Sequence, residues 1–425
     1  MLKRIPIEQL RLGMFIHELC GSWYDHPFWH RAFLLDSSKD LQELLSTSIK
    51  EVWIDPEKGL DVEDGKSENT VAAEVDDTLA RFNNGGKISH RVDIAQEAVR
   101  AVKIYTESRQ AVASMFHEAR MGKALNASVA LPVVDEITTS VMRNTGALIS
   151  LVRLKNKDNY TYMHSVAVCA LMVALARQLG LNKEQIRQAG LAGMLHDIGK
   201  TMTPLEIINK PGKLTDAEFQ VVKNHPAEGH KILLESNGIG DIALHVSLHH
   251  HEKIDGSGYP KKLTNEQIDL YSKMAAVCDV YDAITSIRAY KDGWEPAEAV
   301  RKMAEWGHSH FDQRIFNAFV KSIGIYPIGT LVRLMSDRLG VVIEQSDNSL
   351  LMPILMVFYS IKLNTRIPPE ILDLSKPSCK DKLISHEDPE KWNIQDTQEL
   401  WSGLPAMHQE ANPRIGAAQM AEASV

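Results

Sequence analysis

The segment AGLAGMLHDIGK, residues 189 to 200, is small or apolar all round until His196 and Asp197, the pattern of a buried helix that ends in two polar side chains. Buried polar groups need partners. An isolated His-Asp pair reads first as a satisfied core pair and second as a pair of metal ligands. Further candidates follow at intervals: His225 in KNHPAEGH, His249, His250 and His251 in LHHHEKIDGSGYP, and Asp279 in AAVCDVYDA, with His164 upstream in DNYTYMHS. Each falls in an expected helix or at its end. A metal site inside a helical bundle draws one or two side chains from each of several helices. Mixed imidazole and carboxylate donors suit Fe, Mn or Zn rather than Ca or Mg. The residues alone reach metal-assisted hydrolysis of a phosphoester and no further, because fold and metal do not name a substrate.

Lys200, one helical turn past His196, is either a point charge for a phosphate oxygen or a cation satisfying a helix C-terminus. The turn Gly258 to Pro260 has the composition of a tight, exposed loop carrying an aromatic, Tyr259. His230 and His245 read as packing or surface histidines. His249 competes with its neighbours, yet consecutive helical residues point about 100° apart, so three in a row cannot all face one site. Met352 and Met356 read as core filler rather than a copper site, and Phe311 and Asp312 as structural.

Taken together, HDIGK, HHE and DGSGYP resemble the HD-GYP family, a branch of the HD phosphohydrolase superfamily, over roughly residues 132 to 329. The residues before them resemble a small domain of unknown function found upstream of such catalytic domains. The resemblance implies that His164, His196, Asp197 and Asp279 hold one metal, while Asp197 bridges to a second held by His225, His250 and His251. Two metals about 3.5 to 4 Å apart can share a hydroxide nucleophile and stabilise a departing alkoxide. Members with a third metal carry a Glu four residues before the first motif His; Tyr160 stands there in this chain, so two divalent ions are expected, Fe or Mn. The resemblance also assigns Lys200, Tyr259, Arg288 and Lys291 to the substrate, with Ala289 in place of the Pro usual between Arg and Tyr. The implied reaction is hydrolysis of cyclic di-GMP to pGpG, with slower cleavage to GMP as a further step. Other expectations are a different cyclic dinucleotide or a mononucleotide as substrate, or a catalytically silent cyclic di-GMP sensor or adaptor; the intact ligand set argues against the latter. Contact with diguanylate cyclase domains through the GYP loop and a homodimer are the implied protein partners.

These side chains need rigid helices to bring them together. In the 425-residue chain, 44% of residues are hydrophobic and 24% charged, an ordinary globular composition. The fold expected is mainly α: an HD-type helical bundle, with helical periodicity over residues 94 to 313. A small strand-rich domain at 1 to 64 precedes a linker with connecting helices at 65 to 131. The catalytic bundle spans 132 to 329, followed by a β appendage of two or three strands at 330 to 395 and a frayed tail at 396 to 425. Trp23, Trp29 and Trp53 are expected in the N-terminal core. A net charge of -8 provides no long-range field for polymeric nucleic acid or anionic lipid. Four scattered cysteines without a CxxC pair indicate neither a disulfide framework nor a zinc ribbon. With no apolar span of membrane length, a cytoplasmic protein without membrane contact is expected.

Overall fold

The computed structural model describes residues 2–20, 32–47, 49–82, 92–153, 160–208, 210, 214–286, 293–346 and 349–404. Its N-terminal sheet contains β1 (Lys3–Pro6), β2 (Phe15–Leu19), β3 (Phe33–Leu34), β4 (Glu51–Ile54) and β5 (Lys66–Ser67), in the order β3-β2-β4-β1-β5. Helix α1 (Ser38–Leu45) is inserted before β4, its first turn capped by the Ser37 side chain, which satisfies an amide with no partner inside the helix. Strand alternation sends Val52 and Ile54 to a local core with Ile5, Ile16 and Leu44. The intervening Trp53 is buried in the larger core of the helical domain, as the two-residue strand period requires. Trp23 and Trp29 lie outside the described residues.

The polar stretch after β5 contains α2 (Glu68–Arg81), a 14-residue helix burying Val71, Val75 and Leu79 along one stripe. The bundle then runs through α3 (Ile94–Arg120), α4 (Ala127–Arg143), α5 (Thr145–Arg153), α6 (Tyr160–Gln178), α7 (Lys183–Leu195), α8 (Leu205–Ile208), α9 (Asp216–Lys223), α10 (His225–Leu234), α11 (Asp241–His249), α12 (Leu270–Thr285), α13 (Pro296–His310) and α14 (Gln313–Ile323). Residues 163 to 176 of α6 are buried on every side, so α6 is the central post, with α7 and α12 packed against it. Reciprocal capping boxes, Asn182 with Gln185 and Thr215 with Glu218, start α7 and α9 by satisfying two orphan amides each. No helix among the described residues is long and apolar enough to cross a membrane.

Five strands, not two or three, follow the bundle: β6 (Leu331–Leu334), β7 (Arg338–Glu344), β8 (Ile354–Ser360), β9 (Thr365–Asp373) and β10 (Leu383–His386), ordered β10-β6-β7-β8-β9. The expectation missed the two edge strands. In β9, TRIPPEILD holds two prolines, which argue against a strand except at a sheet edge. Met352 is exposed and Met356 half-buried, so neither fills the core as expected; Leu355, Val357 and Phe358 do. The frayed-tail expectation also fails at its start. Helix α15 (Thr397–Ser402) buries Trp401 against α3 and β7, while residues 405–425 lie outside the described residues.

Candidate metal centre

The HDIGK segment closes α7 and passes into a 3-10 turn, Ile198–Met202. Its glycine is required by a neighbour: a Cβ on Gly199 would lie 1.9 Å from the His225 carbonyl oxygen and 2.4 Å from the Gly229 nitrogen. This backbone contact seats α10 on the turn and brings His225 to Asp197. From the other side, α11 ends at His249 and His250 is its C-cap. His250, still in helical conformation, and His251, just past the helix, are both buried at the site, while His249 Nδ1 lies 4.0 Å from Glu252. Helix α6 supplies His164 and α12 supplies Asp279.

The seven expected ligands converge, and none is more than 8% exposed. Three overlapping groups have candidate ligand atoms within 4.8 Å of one another: His164, His196 and Asp279; His225, His250 and His251; and His196, Asp197 and His250. Asp197 spans the groups. Its Oδ2 is 3.4 Å from His164 Nε2 and 3.5 Å from His196 Nε2, and its Oδ1 is 3.2 Å from His225 Nε2 and 3.8 Å from His250 Nε2. Asp279 Oδ1 is 3.0 Å from His164 Nε2, and its Oδ2 is 3.6 Å from His251 Nδ1.

The tautomers follow from the outer partners. His196 Nδ1 donates to the Gly193 carbonyl at 2.7 Å, His225 Nδ1 to Val222 at 2.7 Å, and His250 Nδ1 to Val246 at 3.0 Å. With Nδ1 carrying the proton, each neutral ring turns its Nε2 lone pair inward. The Nε2 atoms of His225 and His250 face each other at 3.2 Å. His196 Nε2 and Asp279 Oδ2 are buried without a hydrogen bond. Inward-facing lone pairs and carboxylates repel unless a cation lies among them, so these donors fit divalent metal ions.

The protonation states agree with that fit. Burial lowers the imidazole pKa of His196, of His250 to about 3, and of His251 well below the ordinary value. Burial opposes ionisation of Asp197 and Asp279, but Lys200 with the facing histidines holds Asp197, and the facing histidines hold Asp279, below the usual carboxylate range. His164 differs. Burial disfavours its charged form, yet Asp197, Asp279 and Asp282 together raise it to about 9. Before an ion binds, a proton there does part of a cation's work.

Asp282 was not among the expected residues. Its Oδ2 accepts the His164 Nδ1 proton at 2.6 Å and so orients a proposed ligand, a common arrangement around metals. One signal existed, since Asp282 lies one helical turn beyond Asp279 in CDVYDA. Lys200 is paired with Asp197 Oδ2. Tyr259, half-exposed, stacks on His251 with centroids 4.8 Å apart, and the Lys223 ammonium lies 5.2 Å from its ring centroid. Arg288 and Lys291 lie outside the described residues. Of the residues read as bland, His230 bonds the Leu244 carbonyl at 3.2 Å, Phe311 stacks on Phe316, and Asp312 caps α14.

A helical bundle with a His-Asp pair at the end of a buried helix, ringed by further histidines and a carboxylate, defines the class of HD-domain metal-dependent hydrolases. The HD domain family matches residues 147–315, and a domain of unknown function, DUF3391, matches residues 2–130. A cyclic di-GMP phosphodiesterase of Pseudomonas aeruginosa is 53% identical over 95% of this chain and 96% of its own length. The cyclic di-GMP phosphodiesterase response regulator RpfG of Xanthomonas campestris is 40% identical over 45% of this chain and 50% of its own. A 3'3'-cGAMP-specific phosphodiesterase of Vibrio cholerae is 36% identical over 39% and 38% respectively. The chain belongs to the HD-GYP family of phosphodiesterases.

Proposed function

We infer that this chain hydrolyses cyclic di-GMP to linear pGpG, and more slowly to GMP, using two divalent ions, Fe or Mn. The observation that carries the reading is the buried ring of inward-facing Nε2 and carboxylate atoms around Asp197. His164, His196, Asp197 and Asp279 would hold one ion, and Asp197, His225, His250 and His251 the other. Bound there, such ions supply Lewis acidity toward a phosphoryl oxygen and lower the pKa of water.

The chain's own residues set the conditions for that chemistry. Asp197, kept ionised, serves both groups through its two oxygens. Lys200 is ion-paired to the same carboxylate, which holds the aspartate in register and places a cation within reach of the phosphate. Tyr259, against His251, forms part of the substrate wall. Arg288 and Lys291 are proposed to grip the dinucleotide. In the net reaction water adds to phosphorus, the P–O3′ bond breaks, and the released 3′ oxygen takes a proton.

Near full-length similarity to a cyclic di-GMP phosphodiesterase favours that substrate over cyclic GMP-AMP. A competition assay with both cyclic dinucleotides in one reaction, resolved by chromatography, tests the choice. The higher kcat/KM is expected for cyclic di-GMP. Product from cyclic GMP-AMP alone overturns the substrate.

A further inference from the structure

We propose that Lys50, in the N-terminal sheet domain, is a positioning residue for the loop that carries Tyr259. The inference rests on the reading that this loop borders the substrate. From within the catalytic domain, buried Glu252 accepts the amides of Lys261 at 2.6 Å and Leu263 at 3.0 Å. A Cβ on Gly258 would lie 2.4 Å from the Lys253 nitrogen, so the loop rests directly on the chain just past His251. These contacts secure its second half.

The first half is organised by Asp255. Its Oδ1 accepts from the Ser257 amide at 2.9 Å and the Ser257 hydroxyl at 2.6 Å, making the turn that leads to Gly258. Its Oδ2 is ion-paired with Lys50. The pair is asymmetric, the Lys50 side chain being 56% exposed and that of Asp255 14%. A largely enclosed carboxylate therefore has one oxygen committed to the turn and the other to a cation from a different domain.

Lys50 is delivered by a docked body. Its carbonyl accepts the Ile7 amide at 2.8 Å, and β4 begins at the next residue. The sheet domain is fixed to α13 by Lys302 with Glu18 at 2.8 Å and by Arg4 donating to the Glu305 carbonyl at 3.3 Å. Helix α13 in turn ends at His310, whose carbonyl accepts the Ile254 amide at 3.4 Å. The N-terminal domain thus reaches the loop twice, directly through Lys50 and indirectly through α13. A shift of that domain would be felt at Asp255 and Ile254, the two points from which the loop leads to Tyr259.

The test uses the full chain loaded with Mn(II) and cyclic di-GMP as substrate. Lys50→Glu is expected to raise KM about two- to five-fold, the effect of one partly exposed ion pair, with kcat and metal content unchanged. Lys50→Arg, which keeps the cation facing Asp255, is expected to hold KM near the wild-type value. Amide hydrogen exchange over residues 254 to 260, read without substrate, is expected to quicken in Lys50→Glu. Wild-type KM or unchanged exchange in Lys50→Glu overturns the role of Lys50. Failure of the wild-type chain to turn over cyclic di-GMP overturns the proposed substrate instead, and the exchange comparison still decides the loop contact.

Discussion

Around His164 three carboxylates compete for one imidazole, and the outcome is set by geometry. Asp282 takes the Nδ1 proton at 2.6 Å, leaving Nε2 toward Asp197 and Asp279. Asp282→Ala removes that acceptor, and metal affinity is expected to fall about ten- to hundred-fold. Asp282→Asn, which keeps an acceptor and loses the charge, should fall less. Competition against a chelator measures both; wild-type affinity in Asp282→Ala rules out the positioning role. The raised pKa of His164, about 9, has its own consequence. Below that pH the ion must displace a proton, so apparent affinity rises with pH, by up to about ten-fold per unit for one proton, and flattens above about 9. Calorimetric titration in two buffers of different ionisation enthalpy counts the proton; no release at pH 7 contradicts the assignment. The seven residues that converge were legible in the sequence because each sits in a short motif. Asp282 was not, because a carboxylate one turn along a buried helix reads equally well as part of the packing.

At the scale of elements, the site exists because α10 lies directly on the turn after His196. The Gly199 position has no space for a Cβ between that turn and the backbone at His225 and Gly229. Gly199→Ala is expected to destabilise the fold by about 1 to 3 kcal/mol through overpacking and to weaken metal binding by drawing His225 away from Asp197. Thermal melting and metal analysis of the folded variant check both effects; wild-type values in each contradict the account. The helices were readable from their periodicity and caps, Asn182 and Thr215 among them. How α11 ends was not. Whether His249, His250 and His251 continue a helix or leave it decides which of them point inward, and the helix stops at His249. In β9 the two prolines masked a strand that is held by its pairing with β8.

Over the whole molecule, the N-terminal sheet, the bundle and the C-terminal sheet are packed together, and α15 is part of that packing. Trp401, 3% exposed, is seated in the main core. Trp401→Ala is expected to cost about 3 to 5 kcal/mol, seen as a lower denaturation midpoint with an unchanged ligand set; an unchanged midpoint would show that α15 contributes nothing. Neither this helix nor the ion pair from Lys50 to Asp255 was legible in the sequence, since both depend on surfaces that meet only after each part has folded. The mainly helical class and the two flanking β regions were legible, because patterning changes at their borders. The central claim is that the residues around Asp197 hold the ions that hydrolyse cyclic di-GMP. Its most direct test is anaerobic turnover by chain loaded with Fe(II) or Mn(II), beside Asp197→Ala, with products separated by chromatography. The account predicts pGpG from the wild-type chain and none from the variant. Equal turnover by both, or no product from folded wild-type chain carrying its metal, would contradict it.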